Sequence, residues 1–107
     1  MYQGTAPIDH QTTIRNFTDL HAWQEAHKLA LMVYRATKSI PRDELFGLIS
    51  QMRRAAVSVI SNIAEGFSCP SGKEKAQFYS IANRSVLELQ SQLMISRDVG
   101  YLKPEEC

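Results

Sequence analysis

The stretch that decides the fold lies near the middle of the chain and reads LFGLISQMRRAAVSVISNIA over residues 45–64. Its apolar residues recur at steps of three and four, as on one face of an α-helix: Leu45, Ile49, Met52, Ala56, Val59 and Ile63. Its only charges are Arg53 and Arg54, and its outer face is small or apolar. Such a helix requires partners on more than one side, so we predict a helix from about Asp43 to Ala64 within a helical bundle.

A second helix is predicted upstream, from about Asp19 to Lys38. Thr18 is the candidate N-cap, because its hydroxyl can accept from a free backbone N–H of the first turn. Phe17 precedes it and can fold back onto the helix as a hydrophobic staple. The core-facing side is expected to carry residues at three- and four-residue steps: Leu20, Trp23, His27, Ala30, Tyr34 and Thr37.

A third helix is predicted downstream, from about Gly72 to Asp98. Ser71 and Glu74 have the spacing of a capping box, in which each side chain bonds the backbone of the other. Gly100 follows as the C-terminal cap, with the next two residues folding back onto the last turn. The expected core stripe is Phe78, Ile81, Ala82, Ser85, Leu89, Leu93 and Ser96.

The ends of the chain set the domain organisation. Residues 1–16 have no apolar period and are interpreted as a flexible tail, which leaves 17–107 as one helical domain. Residues 103–106 read Lys-Pro-Glu-Glu, which is typical of the first turn of a further helix, and the chain stops at 107. We therefore expect an all-α, up-down bundle of three long helices plus the start of a fourth, a four-helix bundle whose C-terminal helix is truncated.

Composition excludes several classes of protein. Lys and Arg number 12 and Asp and Glu 11, so the net charge of +1 provides no overall attraction to nucleic acid or acidic lipid. Neither a signal peptide nor a membrane-length apolar run is visible. Cys69 and Cys107 lack metal-binding spacing and are interpreted as free thiols. These features predict a soluble, cytoplasmic protein that does not associate with a membrane.

The sequence offers no set of residues for catalysis. Its histidines are His10, His21 and His27, which are too few and too scattered for a metal site. There is no phosphate-binding glycine loop, no G-x-S-x-G motif and no carboxylate pair on an apolar helix face. We therefore expect a binding protein rather than an enzyme, without cofactor or metal.

Two surfaces are candidates for binding. The first is basic and would hold phosphate backbones without reading sequence, formed by Arg53, Arg54, Lys28, Arg35, Lys38 and Arg42. The plain alternative is ordinary solvated surface charge, which explains Arg53 and Arg54 least well because their helix is otherwise uncharged. The second surface is apolar and lies away from the core stripes, which predicts subunit contacts in a homo-oligomer at Leu29, Val33, Val57, Ser61, Leu87 and Met94.

Four segments together resemble a known family. They are Phe17-x-Asp-Leu-x-x-Trp23-Gln-x-Ala26, residues 48–58 (LISQMRRAAVS), residues 61–67 (SNIAEGF) and Gly100-Tyr-Leu102. In this combination the chain is similar to the four-helix-bundle family of 23S ribosomal RNA intervening-sequence proteins. Within the motifs, Trp23, Asn62, Glu65 and Gly66 are assigned structural roles. Asn62 and Glu65 would bond backbone at the end of the middle helix, and Gly66 would cap it with a positive φ.

The resemblance implies an assembly and binding partners that the residue patterns alone do not indicate. Members are encoded in insertions within bacterial 23S rRNA genes and as free-standing genes, and most have no established activity. A related branch, the accessory protein of diversity-generating retroelements, forms a pentameric barrel with a basic surface and binds nucleic acid and a reverse transcriptase. For this chain the resemblance implies a homo-oligomeric adaptor, with a pentamer as one assembly, that binds RNA or DNA beside a nucleic-acid enzyme. The alternative is a structural protein–protein module that binds no nucleic acid.

Overall fold

The computed structural model describes residues 14–103, and over this range the chain is all-α. Three helices pack up and down: α1 at His21–Thr37, α2 at Ser50–Ser68 and α3 at Gly72–Asp98. Short helical turns at Phe17–Asp19, Arg42–Glu44 and Leu45–Ile49 precede α1 and α2. The predicted fold class is confirmed. Most of the predicted tail and the predicted fourth-helix turn lie outside the described residues.

The start of α1 differs from the prediction, because Asn16 caps a separate 3₁₀ turn before α1, and α1 itself begins after Leu20 without a side-chain cap from Thr18. The side chain of Asn16 accepts from the backbone N of Thr18 at 2.8 Å, while Asp19 accepts from the backbone N of Arg15 at 2.8 Å. These backbone bonds, from Arg15 first and then Asn16, lower the pKa of the Asp19 carboxyl below its ordinary value. The capping box thus closes a single turn of 3₁₀ helix, and α1 follows at His21.

The α2 helix begins and ends later than predicted. Gly47 interrupts the helical path at φ −118° and ψ −105°, so the regular helix starts at Ser50. The helix then continues through Gly66 to Ser68. The prediction of Gly66 as a positive-φ cap is wrong, because among the described glycines only Gly100 has a positive φ, of 87°. Gly66 is buried inside the helix, where the ring of Tyr79 occupies the space of a side chain.

The ends of α3 are as predicted. Ser71 caps its first turn by accepting from the backbone N of Glu74 at 3.1 Å. At the other end, the backbone N of Tyr101 donates to the carbonyl of Ser96 at 2.8 Å, past the left-handed Gly100. Leu102 is then buried against the bundle.

The core forms around α2, which packs against both α1 and α3. Met52 and Leu89 are its most deeply buried large side chains. On α1 the buried face is rotated from the predicted stripe: it consists of Ala26, Ala30, Val33 and Thr37. The small alanines allow α1 to approach closely, and the larger Trp23, His27 and Tyr34 lie at its edge. Within residues 14–103, none of the helices combines the length and the apolar character that a bilayer span requires.

Candidate functional site

Positive charge is concentrated in one part of the molecule, from the middle of α1 to the first half of α2. Residues 28–54 hold six of the chain's twelve Lys and Arg residues but only two of its eleven acids, Asp43 and Glu44. Glu44 accepts from the hydroxyl of Tyr101 at 3.0 Å, so its carboxylate is engaged with the segment that follows α3. This hydrogen bond raises the pKa of Tyr101 above its ordinary value. The α1–α2 hairpin is therefore basic, although the chain as a whole is almost neutral.

Arg53 is held in place by three contacts with α1. Its Nε donates to the hydroxyl of Thr37 at 2.8 Å, and its Nη2 donates to the carbonyl of Tyr34 at 3.5 Å. The guanidinium carbon also lies 4.8 Å from the centroid of the Tyr34 ring. Arg53 thus joins α1 to α2, a role that its sequence position did not suggest, because the partners are 16 and 19 residues away.

Arg54 has a different environment. It is exposed, and within residues 14–103 no side chain or backbone group pairs with it. It borders a groove of about 390 Å³ between α1 and α2, which is lined by Tyr34, Leu45, Ile49, Ser50, Arg53, Arg54 and Val57. The two adjacent arginines therefore line one groove. Arg53 is held by its contacts with α1, whereas Arg54 is an unpaired cation.

The other four predicted basic residues fall into two groups. Lys38 and Arg42 are exposed in the α1–α2 connection, close in sequence to Thr37, the partner of Arg53. Lys28 and Arg35 lie two turns apart on the exposed side of α1, and Lys28 pairs with Glu25 at 3.2 Å. The predicted basic set is thus divided among the first half of α2, the α1–α2 connection and the exposed side of α1.

The predicted subunit contacts are only partly on the surface. Leu87 and Met94 are 55% and 53% exposed on α3, with Ile95, which the sequence reading missed, at 54%. Val57 and Ser61 are exposed on α2. The placement of Val33 away from the core is wrong, because the rotation of α1 buries it in the chain's own core. Leu29 is half-buried and packs against that core.

Val57 and Arg54 line the same groove. Residues that were assigned to two different functions, subunit contact and phosphate binding, therefore share one surface. A subunit seated on this groove would cover Arg54, so the two uses of the groove exclude each other. The exposed apolar residues of α3 do not line the groove, so a subunit that covers them need not cover Arg54.

Two of the motif residues have structural roles in this part of the molecule. Trp23 packs between Phe17, at 5.5 Å between ring centroids, and His27, which stacks on it at 5.0 Å. Asn62 donates to the carbonyl of Ser58 at 2.8 Å, one turn back in α2. The predicted backbone bond of Glu65 is wrong, because its side chain is exposed and makes no hydrogen bond within residues 14–103.

The carbonyls at the end of α2 are bound by Lys75 of α3, which the sequence reading missed. Its Nζ donates to the carbonyl oxygens of Gly66 and Phe67 at 3.1 and 2.8 Å. A cation in this place satisfies free carbonyls and complements the negative end of the helix dipole. The only signal in the sequence was a lysine one turn into the next helix.

Clustered metal ligands are missing from the described residues, and one thiol is present. No three His, Cys, Asp or Glu side chains between residues 14 and 103 are grouped to hold a metal. Cys69 is a free, half-buried thiol, as predicted, while Cys107 lies outside the described residues. The described surface presents unpaired cations and an apolar groove, and Phe46 is 92% exposed.

Comparison with known proteins agrees with the residue patterns. The family model described as 23S rRNA-intervening sequence protein matches residues 18–107. No curated protein matches the sequence.

Proposed function

The chain belongs to the 23S rRNA-intervening sequence protein family, and on that premise we propose that it is a non-catalytic, homo-oligomeric adaptor that binds the phosphate backbone of RNA or DNA. In this proposal the basic α1–α2 hairpin holds nucleic acid, and the assembly, of which a pentamer is one form, presents several such hairpins together. A nucleic-acid enzyme such as a reverse transcriptase would be the partner that the adaptor serves.

The observation that carries this proposal is the separation of charge along the chain. Residues 28–54 have six basic and two acidic side chains, whereas the rest of the chain has six basic and nine acidic ones. Within the described range, Arg35, Lys38, Arg42 and Arg54 have no acidic partner. Cations that are not neutralised internally attract phosphates and displace their counterions, which gives affinity without sequence preference.

The test is the salt dependence of binding. Fluorescence anisotropy of a labelled RNA with the full chain should show an affinity that falls as salt rises. Arg54→Ala should weaken binding and reduce the slope of log K against log salt by about one, because one phosphate contact is lost. The matched control is Arg84→Ala, which removes an exposed arginine of α3 outside the basic hairpin. Absence of binding at low salt, or equal effects of the two substitutions, would refute the proposal.

A second candidate function has its own support in the exposed apolar residues of α3. Leu87, Met94 and Ile95 are each more than half exposed on one helix. Apolar groups that recur along a helix and face solvent are typical of a surface that another subunit covers. If the protein assembles through α3 and binds no nucleic acid, it is a structural protein–protein module.

A further inference from the structure

The groove between α1 and α2 combines three kinds of surface. Its apolar walls are formed by Leu45, Ile49 and Val57, together with the ring of Tyr34. At about 390 Å³ it lies within the range of sites that accept small organic groups. Arg53 and Arg54 add positive charge to an otherwise apolar lining. The chemistry of this lining matches a flat, apolar group that carries a negative charge beside it.

Arg53 contributes a flat cationic surface that is already immobilised. Its guanidinium is hydrogen-bonded to Thr37 and to the carbonyl of Tyr34, and it lies against the Tyr34 ring. Because its orientation is set by these contacts, little side-chain entropy remains to be lost when another ring stacks on it. Guanidinium planes and aromatic rings are the surfaces on which proteins stack unpaired bases.

Arg54 contributes the charge that remains free. It follows Arg53 directly and is unpaired within the described part of the chain. A ligand in the groove would bring its anionic group to this side chain. A flat ring on Arg53 and an anionic group at Arg54 correspond to the two parts of one nucleotide, the base and the phosphate.

We infer that the groove holds one unpaired base of a single-stranded nucleic acid, stacked on the face of the Arg53 guanidinium that is turned away from Tyr34, with Arg54 on an adjoining phosphate. This inference rests on the proposed function and names its substrate class. A duplex does not fit the groove in the same way, because paired bases are stacked on each other and do not present their faces.

The experiment compares three labelled oligonucleotides in anisotropy titrations with the full chain at one salt concentration. They are a single strand, the same strand with abasic sites in place of its bases, and the corresponding duplex. We expect the intact single strand to bind about tenfold more tightly than the abasic strand, since one stacked base contributes roughly this factor. The duplex, whose paired bases present no free faces, should bind less tightly than the intact single strand.

Two substitutions of the chain test the role of the guanidinium. Arg53→Lys retains the charge but removes the flat guanidinium, so it should abolish the preference for the intact strand over the abasic one. Arg84→Lys is the matched control, because it makes the same exchange at an exposed position of α3 outside the groove and should leave that preference unchanged. Circular dichroism checks that both variants fold. The comparison on the unmodified chain decides the matter even if Arg53→Lys does not fold.

Each other outcome has a defined meaning. Equal affinity for intact and abasic strands, or a preference for duplex, overturns the inference and leaves backbone binding intact. Failure of all three oligonucleotides to bind overturns the proposed function together with the inference. If base dependence is absent and Val57→Asp breaks an oligomer into monomers in light scattering, the groove holds a second copy of the chain, and the inference is again wrong.

Discussion

The ring of Tyr79 covers Gly66 so closely that a Cβ on this glycine would lie 2.5 Å from Cε1 of the tyrosine. Gly66 stands near the end of α2 and Tyr79 in the second turn of α3. The glycine is therefore a packing position, at which the absence of a side chain allows the ring to approach the backbone. Its conformation is helical and could be adopted by any residue.

This contact predicts the effect of Gly66→Ala. Overpacking costs about 1–3 kcal/mol, while alanine in place of glycine favours a helix by about 1 kcal/mol. We expect a net decrease in the free energy of unfolding of about 1 kcal/mol, measured by urea denaturation. In a Tyr79→Ala background the steric cost is absent, so the same substitution should instead stabilise the chain. Equal effects in both backgrounds would show that the ring does not restrict this position.

The neighbouring arginines should differ in their contribution to stability. Arg53→Ala removes two hydrogen bonds and the contact with the Tyr34 ring, so it should lower the free energy of unfolding by about 1–2 kcal/mol. Arg54→Ala removes an exposed, unpaired side chain and should change it by less than about 0.5 kcal/mol. Urea denaturation of the two variants side by side measures the difference. Similar losses would mean that Arg53 does not join α1 to α2.

The bond from Tyr101 to Glu44 predicts a loss of stability in alkali. Folding raises the pKa of Tyr101 above 10.0, because its hydroxyl donates to the Glu44 carboxylate. The folded state therefore retains this proton more strongly than the unfolded chain. The stabilisation is complete below pH 10 and is lost as the pH rises through the folded pKa.

Thermal unfolding followed from neutral to strongly alkaline pH measures this effect. Tyr101→Phe should remove part of the alkaline decrease in melting temperature. Tyr79→Phe is the control, because Tyr79 makes no hydrogen bond to a carboxylate in the described range, and this variant should retain the decrease. Identical pH profiles for Tyr101→Phe and the unmodified chain would contradict the prediction.

The apolar face of α3 predicts where subunits meet. Met94→Lys introduces a charge at a position that is 53% exposed in the single chain, so the fold should tolerate it while an assembly that buries this face should not. Light scattering should then show a smaller particle than for the unmodified chain. Met32→Lys on α1, where the side chain is 56% exposed, is the matched control. A monomeric unmodified chain, or equal dissociation by both variants, would exclude α3 as the interface.

Much of the helical organisation could be predicted from the sequence. The bounds of α3, its Ser71 cap and its Gly100 cap are all as predicted. Each depends on hydrogen bonds between residues three to six apart, which local spacing can show. The segment before α1 was predicted less well, because Asn16 caps a separate 3₁₀ turn there and α1 begins without a side-chain cap.

The binding surface could be predicted only in part. The concentration of cations is a property of the sequence, and their assignment to nucleic acid stays a prediction. It could not be predicted that Arg53 is hydrogen-bonded while Arg54 is unpaired, since the partners of Arg53 are Thr37 and Tyr34 in another helix. The groove could not be predicted either, because Tyr34 of α1 lines it together with residues of α2 and the turn before α2.

The three long helices within residues 14–103, the all-α bundle and the family therefore follow from the sequence, because periodicity and short-range capping act within one segment. Only the tertiary structure shows which face of α1 is buried, which ring fills the space beside Gly66 and which arginine remains unpaired. These features depend on how closely one helix approaches another. That distance is set by how the side chains of two different helices fit together, as Gly66 of α2 and Tyr79 of α3 do, and spacing within one helix does not show it.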